Sequence, residues 1–498
     1  MKSQLIANKR YKETPSLRHV SYQPVAWNAR SKMGFISEHL EISVQNGRLV
    51  HMSLTRRSLI FAGAAGLLAR TAGSAEKAAL TPIELSPKPE DHEMPVEGFV
   101  DEITPTENFF VRCHTYTPQV TLADWKLSID GLVNTPLTLT LDDLKKLPHV
   151  ELVSVLECAG NGRSFYKPIM AGAQWKFGGV GNARWTGVRL RDVLQKAGLK
   201  PGATQLLLDG ADVPLGKMPD FQRTVTVAKG LDPDTMLAWA MNGQPLTMEH
   251  GFPLRLVAPG WASDSWVKWL QHIDVLDHEF DGFWMKTAYR HPSHPVAPGT
   301  AVDAKDMIPV TDLSVKSVIA IGDWVKPGVV AVQGAAWSNG SPIAKVEISA
   351  DGGTSWNLAK LTGTGTKYGF RKFAYAWKAT EGEHSLIARA TDAAGKSQPM
   401  QEDWNPSGYL WNVAQPRKVL VSAKLTHTDS NETVKPMTVP DAYQAACMSC
   451  HDDHMMRMQH LTRAQWEKEL DKMTGWGAPL SAADRPGVVD YLSSQYKP

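Results

Sequence analysis

The chain has 498 residues, 43% of them hydrophobic, with 53 Lys and Arg against 51 Asp and Glu. That length suits about three domains, and the near-balanced charge excludes a general pull toward nucleic acid or anionic membrane. Its four cysteines, Cys113, Cys158, Cys447 and Cys450, are too few for a disulfide scaffold at this size.

The first readable element is a secretory signal over residues 52–75. Paired Arg56 and Arg57 precede a short apolar run, which ends in Gly73-Ser74-Ala75. This is the pattern of a twin-arginine leader. It implies a periplasmic protein with no membrane span once the leader is removed. The alternatives are an N-terminal anchor or a buried helix, but the apolar run, about Leu59 to Ala69, is too short to span a bilayer. The leader starts late, and Met52 stands directly before it, so residues 1–51 read as a mis-started or unstructured extension.

Residues 76–100 are rich in proline and acid and read as an extended lead-in to a mixed domain at 76–310. There, strand-like runs (Gln205 to Leu208, Leu254 to Val257) alternate with helical ones (Asp142 to Lys146, Leu190 to Ala197), which predicts an α+β core. From 311 to 415 short alternating runs such as 329–332 and 344–348 are separated by turns such as Ser338-Asn339-Gly340-Ser341, which suggests a β-sandwich. A linker at 416–437, most polar from residue 423, leads to a helical segment at 438–498, with a clear amphipathic helix over Arg463 to Met473.

Cys447-Met448-Ser449-Cys450-His451 is the attachment signature of haem c. Two thiols three positions apart can form thioethers to the vinyl groups, and His451 then ligates the iron. A redox dithiol or half a zinc site would leave the histidine unexplained. Met455, Met456, Met458, Met473, His454 and His460 are the candidates for the opposite axial position. The first three methionines lie too near the attachment turn. Met473 is expected in a loop after a helix, where a distal ligand can be presented; core packing is the alternative.

Cys158 sits in Glu157-Cys158-Ala159-Gly160-Asn161-Gly162-Arg163. Glycines permit a tight backbone, and Arg163 brings a cation near the thiol, so Cys158 reads as a metal ligand, a nucleophile or a buried structural cysteine. Cys113 reads as a small packing residue.

Taken together, Phe109-Phe110-Val111-Arg112-Cys113-His114, the Cys158 motif, the 182–188 segment Asn-Ala-Arg-Trp-Thr-Gly-Val, His250-Gly251-Phe252-Pro253-Leu254-Arg255 and Val267-Lys268-Trp269-Leu270 resemble the molybdopterin domain of the sulfite oxidase family. Residues 311–415, down to Trp404-Asn405-Pro406-Ser407-Gly408-Tyr409, resemble its immunoglobulin-like dimerisation domain. The resemblance implies a sulfite-oxidase-type α+β domain, an immunoglobulin-like sandwich that forms a homodimer, and a small all-α cytochrome c domain fused behind them.

It further implies that Cys158 ligates molybdenum and that Arg112, Arg163 and Trp175 form the substrate pocket. His250, Arg255 and Lys268 would hold the cofactor's phosphate, with His114 in the same set and Asp212 on the pterin ring. The implied reaction is oxidation of sulfite to sulfate, with electrons passing through the haem to a soluble cytochrome c. Two departures bear on the substrate. The family's active-site tyrosine aligns with Trp239, and its third substrate arginine aligns with Ser407. They leave room for another sulfur oxyanion or an S-oxide on the same site. A haem electron carrier without catalysis is the non-enzymatic alternative.

Overall fold

A computed structural model describes residues 80–424 and 439–498. The leader, the late start and residues 425–437 of the linker lie outside the described residues, while Arg417–Val421, expected in the linker, is a sandwich strand paired with Gly382–Asp392.

The lead-in expected to be merely extended is a hairpin. Strands Ile83–Pro87 and Glu90–Glu93 pair antiparallel, and the second pairs with Val111–Arg112. Pairing satisfies the backbone of a polar stretch and lets it bury Asp91 and Glu93.

Two sheets frame the mixed domain. One contains the long strands His149–Glu157 and Val180–Arg189, followed by Met236–Met241, which also pairs with Arg255–Val257. The other runs Leu137–Leu139, Leu127–Gly131, His272–Leu276, Gln205–Asp209, Gln222–Thr226, with one parallel pairing, between His272–Leu276 and Leu127–Gly131. Helix Leu190–Ala197 buries Leu190, Val193, Leu194 and Ala197, the spacing of one helical face. Leu141–Lys145 is capped by a reciprocal pair: Asp143 N–H donates to the Thr140 hydroxyl and Thr140 N–H to the Asp143 carboxylate.

The alternating runs beyond residue 311 form two facing sheets of four and five strands. Gly328–Trp337 pairs with Arg371–Ala379 in one sheet and Ile343–Ser349 with Gly382–Asp392 in the other, so both predicted runs fall inside strands. Val332, Val346, Ile348, Phe373 and Leu386 fill the space between them.

Among the described residues, 439–498 carry helices only: Asp441–Cys447, Asp453–Arg457, Arg463–Gly475 and Arg485–Gln495. A small core of Tyr443, Trp466, Leu470, Val488 and Leu492 holds them, and Ile169 and Ala171 of the mixed domain pack against it. Met473 lies inside the last turn of Arg463–Gly475 and is half-buried, not in the following loop as expected. The helix runs on because its capping box (Thr462 with Gln465) sets the start and nothing breaks it before Gly475. No described helix is long and apolar enough to cross a membrane.

Candidate active site

Strand His149–Glu157 ends at Cys158, whose N–H donates to Gly179 O at 2.8 Å while its carbonyl accepts from Asn161 N–H at 2.9 Å. The turn needs Gly162 at φ 93°, where a Cβ would also strike Trp411. Behind the thiol sits a buried charged network. Glu157 accepts from Asn161 Nδ2 (2.9 Å), Lys316 Nζ (2.7 Å) and Trp337 Nε1 (2.7 Å). Lys316 and Trp337 belong to the sandwich, so two parts of the chain fix one cysteine-bearing turn.

Cys158 opens into a cavity also lined by Arg112, His114, Asp212, His250, Arg255, Lys268 and Tyr289. Burial pushes the Cys158 thiol above its ordinary range, while Arg112 and Arg163 pull it down. Arg112 is paired with Asp91 at 3.3 Å, which keeps the guanidinium firmly charged despite burial. His114 stacks on Phe221 with ring centroids 4.1 Å apart, and its Nε2 shares a 2.6 Å hydrogen bond with Tyr289 Oη. Burial and the nearby cations hold His114 well below its usual range, so it is neutral.

The far side of the cavity collects cations. Arg255 is 3% exposed and donates only to carbonyls, His250 O and Trp266 O, both at 3.0 Å. Burial alone pushes it down to about 9. Lys268 donates to Glu249 O at 2.8 Å and contacts Cys113 Sγ at 3.2 Å. His250 is pushed down to about 3 by burial and these two cations. Burial raises Asp212 to about 6. Cys113, expected as a small packing residue in the wall beside Arg112, is buried and lines the cavity.

Not every expected residue is brought to this cavity. Trp239 lies 8% exposed in strand Met236–Met241, its ring 5.0 Å from His149, and does not line it. The strand pairs on both sides, and its alternation turns the indole away. Tyr289 lines the cavity instead, stacked on Tyr409 at 5.2 Å. Trp175 is fully buried behind Phe110, edge-on at 6.1 Å, and not on the wall. Arg163 is 7% exposed beside the Cys158 turn, over the Tyr409 ring at 5.1 Å, with its Nε lacking any partner. Ser407 takes part only in the local turn, its N–H donating to Asn405 Oδ1. Cys447 and Cys450 are half-buried free thiols, Cys447 pushed up to about 11 by burial. His451 is also half-buried, with its Nδ1 unpartnered.

The chain matches two family models: an oxidoreductase molybdopterin binding domain over residues 114–284 and a Mo-co oxidoreductase dimerisation domain over residues 308–419. It is 33% identical to chicken (Gallus gallus) sulfite oxidase over 346 residues, 65% of this chain and 75% of that one. It belongs to the sulfite oxidase family of molybdopterin oxidoreductases. The Arabidopsis thaliana sulfite oxidase is 31% identical over 337 residues, 62% of this chain and 86% of that one. The mitochondrial sulfite oxidase of Drosophila melanogaster is 34% identical over 361 residues, 68% of this chain, but the match spans only 62% of the fly protein. The crystal structure of the sulfane dehydrogenase SoxCD from Paracoccus pantotrophus superposes with a TM-score of 0.59 at 27% identity, covering 70% of this chain and 90% of that chain.

The residues fit the family's cofactor. Among the described residues no three His, Cys, Asp or Glu side chains converge on a metal position. A metal at Cys158 therefore needs further ligands from a cofactor, and a dithiolene supplies soft sulfur to match the thiolate. Arg255, buried without a carboxylate, needs an anion, and a phosphate held with Lys268 and His250 satisfies it. Sequence reasoning missed Tyr289. Its only local signal was an aromatic cluster, Phe283-Trp284 before Ala288-Tyr289, with no spacing rule to tie it to Cys158.

Proposed function

We propose that this chain is a periplasmic, molybdenum-dependent sulfite dehydrogenase that sends electrons out through its own haem c to a soluble cytochrome c. When bound, the molybdenum-molybdopterin supplies oxygen-atom transfer and a two-electron sink, and a haem on Cys447 and Cys450 supplies a one-electron exit. The chain supplies charge and position. Arg112 from the cavity wall and Arg163 from beside the Cys158 turn draw the substrate anion toward Cys158, Tyr289 Oη presents a phenol at the wall, and the apolar ring packing around it limits water. His451 and Met473 are the proposed iron ligands. The sandwich at 308–419, which matches a Mo-co oxidoreductase dimerisation domain, is the proposed homodimer face.

The observation that carries the reading is the cation pair acting on Cys158. One member, Arg163, is buried with an unpartnered Nε and no carboxylate partner among the described residues. Such a guanidinium is arranged for a ligand anion. The test is metal content with turnover: about one molybdenum per haem, and cytochrome c reduction that depends on sulfite. Full molybdenum loading without sulfite turnover overturns the substrate assignment; haem without molybdenum favours a simple electron carrier. Tyr289→Phe, which removes one hydrogen bond, is expected to lower turnover about tenfold while leaving metal content unchanged.

A second reading keeps the site and changes the substrate to another sulfur oxyanion, an S-oxide or a sulfane sulfur. Ser407 stands where a third substrate arginine would be, and the structural match to a sulfane dehydrogenase points the same way. A panel of sulfite, thiosulfate and a sulfoxide with one electron acceptor separates the two readings.

A further inference from the structure

Arg163 is aimed by what surrounds it. Its Nη1 donates to Ala173 O at 3.1 Å. Three glycines from separate segments leave the slot it occupies. A Cβ at Gly160 would lie 2.8 Å from Nη2, one at Gly172 2.8 Å from Nη1, and one at Gly408 3.0 Å from Cγ. Two of these fixtures, Gly172 and Ala173, belong to the loop at residues 169–174, which carries neither helix nor strand.

That loop is held from outside the mixed domain. Gln459, 6% exposed, accepts from Gly172 N–H at 3.0 Å through its Oε1. Gln465 Nε2 donates to Ile169 O at 2.9 Å. Gln174 N–H donates to the Met458 thioether at 3.4 Å. Ile169 and Ala171 close the apolar side against the core around Tyr443 and Trp466. Within the loop, Gln174 Nε2 donates to Met170 O and Gly172 O, both at 2.7 Å. All three outside contacts come from the C-terminal helical segment.

We propose that the C-terminal helical segment is a positioning element for the anion pocket: Gln459 fixes the 169–174 loop, and the loop fixes the direction of Arg163. The inference rests on the reading of Arg163 as a substrate-anion donor. It makes the segment that would carry electrons away also the one that holds the substrate cation in place. A short loop with few partners of its own has little else to order it, so a buried glutamine acceptor at its centre decides its conformation. Gln459 is a positioning residue and touches no substrate.

The test uses the full-length, cofactor-loaded protein and inorganic sulfate, an anion that binds without turnover. Calorimetry gives the sulfate affinity, and hydrogen exchange gives the protection of the Gly172 and Gln174 amides. Gln459→Ala is expected to weaken sulfate about tenfold and to speed exchange at Gly172, with the haem absorption spectrum unchanged. Gln459→Glu keeps an acceptor for Gly172 N–H and is expected to recover affinity to within about threefold. Arg163→Met is expected to abolish sulfate binding.

Sulfate affinity unchanged in Gln459→Ala but lost in Arg163→Met overturns the positioning role and leaves the pocket reading intact. Sulfate affinity unchanged in Arg163→Met, or absent from the unaltered protein, overturns the pocket reading and the inference with it. If Gln459→Ala fails to fold, Gln465→Ala decides. It removes a separate contact to the same loop and is expected to weaken sulfate two- to threefold; an unchanged affinity overturns the proposal.

Discussion

Two deeply buried arginines near the cavity are treated in opposite ways. One, Arg223, is buried against Asp264, both side chains at most 1% exposed, so its charge has a counter-ion, although Arg223 Nε and Asp264 Oδ1 have no partner. The other, Arg255, is nearly as deep and has carbonyls and the Trp185 and Trp266 rings around it, but no carboxylate. A buried ion pair is a finished structural unit; a buried cation without a counter-ion is an unfinished one. The difference teaches where the chain expects a ligand. On the proposed reading, charge left without a counter-ion marks where the cofactor's phosphate would sit.

The comparison can be broken by removing either kind of charge. Arg223→Met strands Asp264 and is expected to destabilise the protein by about 3–5 kcal/mol, with or without cofactor. Lys316→Met does the same to Glu157, also by about 3–5 kcal/mol, and the double change Glu157→Gln with Lys316→Met recovers most of it. Urea unfolding measures both, and a double variant as weak as the single one would sink the account of the network behind Cys158.

A second measure concerns buried acids at the rim. Burial raises Glu93 to about 7 from an ordinary 4.5, against the N–H groups of Lys176 and Gly178, which lower it. Between these values the folded protein keeps a proton that the unfolded chain has lost. Stability therefore falls as pH rises through that window, by about 3 kcal/mol in all. Glu93→Gln is expected to flatten this slope in unfolding series between about pH 4.5 and 7; an unaltered slope would refute the assignment.

The smallest effect sharpens the comparison most, because its sign changes with the ligand. In the cofactor-free protein Arg255→Met removes an uncompensated charge and is expected to stabilise by about 1 kcal/mol. In the loaded protein the same change removes a phosphate partner, and molybdopterin content after purification is expected to fall. Destabilisation of the cofactor-free protein by Arg255→Met would show that the two arginines are of one kind after all.

The legibility of these features followed their reach along the chain. The Cys158 turn is contiguous and carries its chemistry in a few neighbouring residues, and so does the haem proposed on the contiguous Cys447–His451 signature. The sandwich strands were readable because alternation is a local period that burial imposes. Tyr289 was not, because its partners Cys158, His114 and Tyr409 come from three distant segments and no local pattern marks their meeting. Trp239 shows the converse error: a short match to the family pattern placed it in the site, while strand pairing aims it at His149. The buried carboxylates of the 83–93 hairpin were misread for a similar reason. A polar stretch reads as solvated until a partner strand and a neighbouring arginine give its charges a place inside.

The glycine slot around Arg163 also bears on how such a site changes over generations. Three positions on three segments each stand one methyl group away from redirecting the same guanidinium. On the proposed reading of Arg163, a single codon change at residue 160 would retune the pocket for a differently shaped anion without touching the arginine, whereas residues 172 and 408, at φ 114° and 63°, resist a side chain through their backbone as well. The same arrangement makes those three positions intolerant wherever the original anion must be kept.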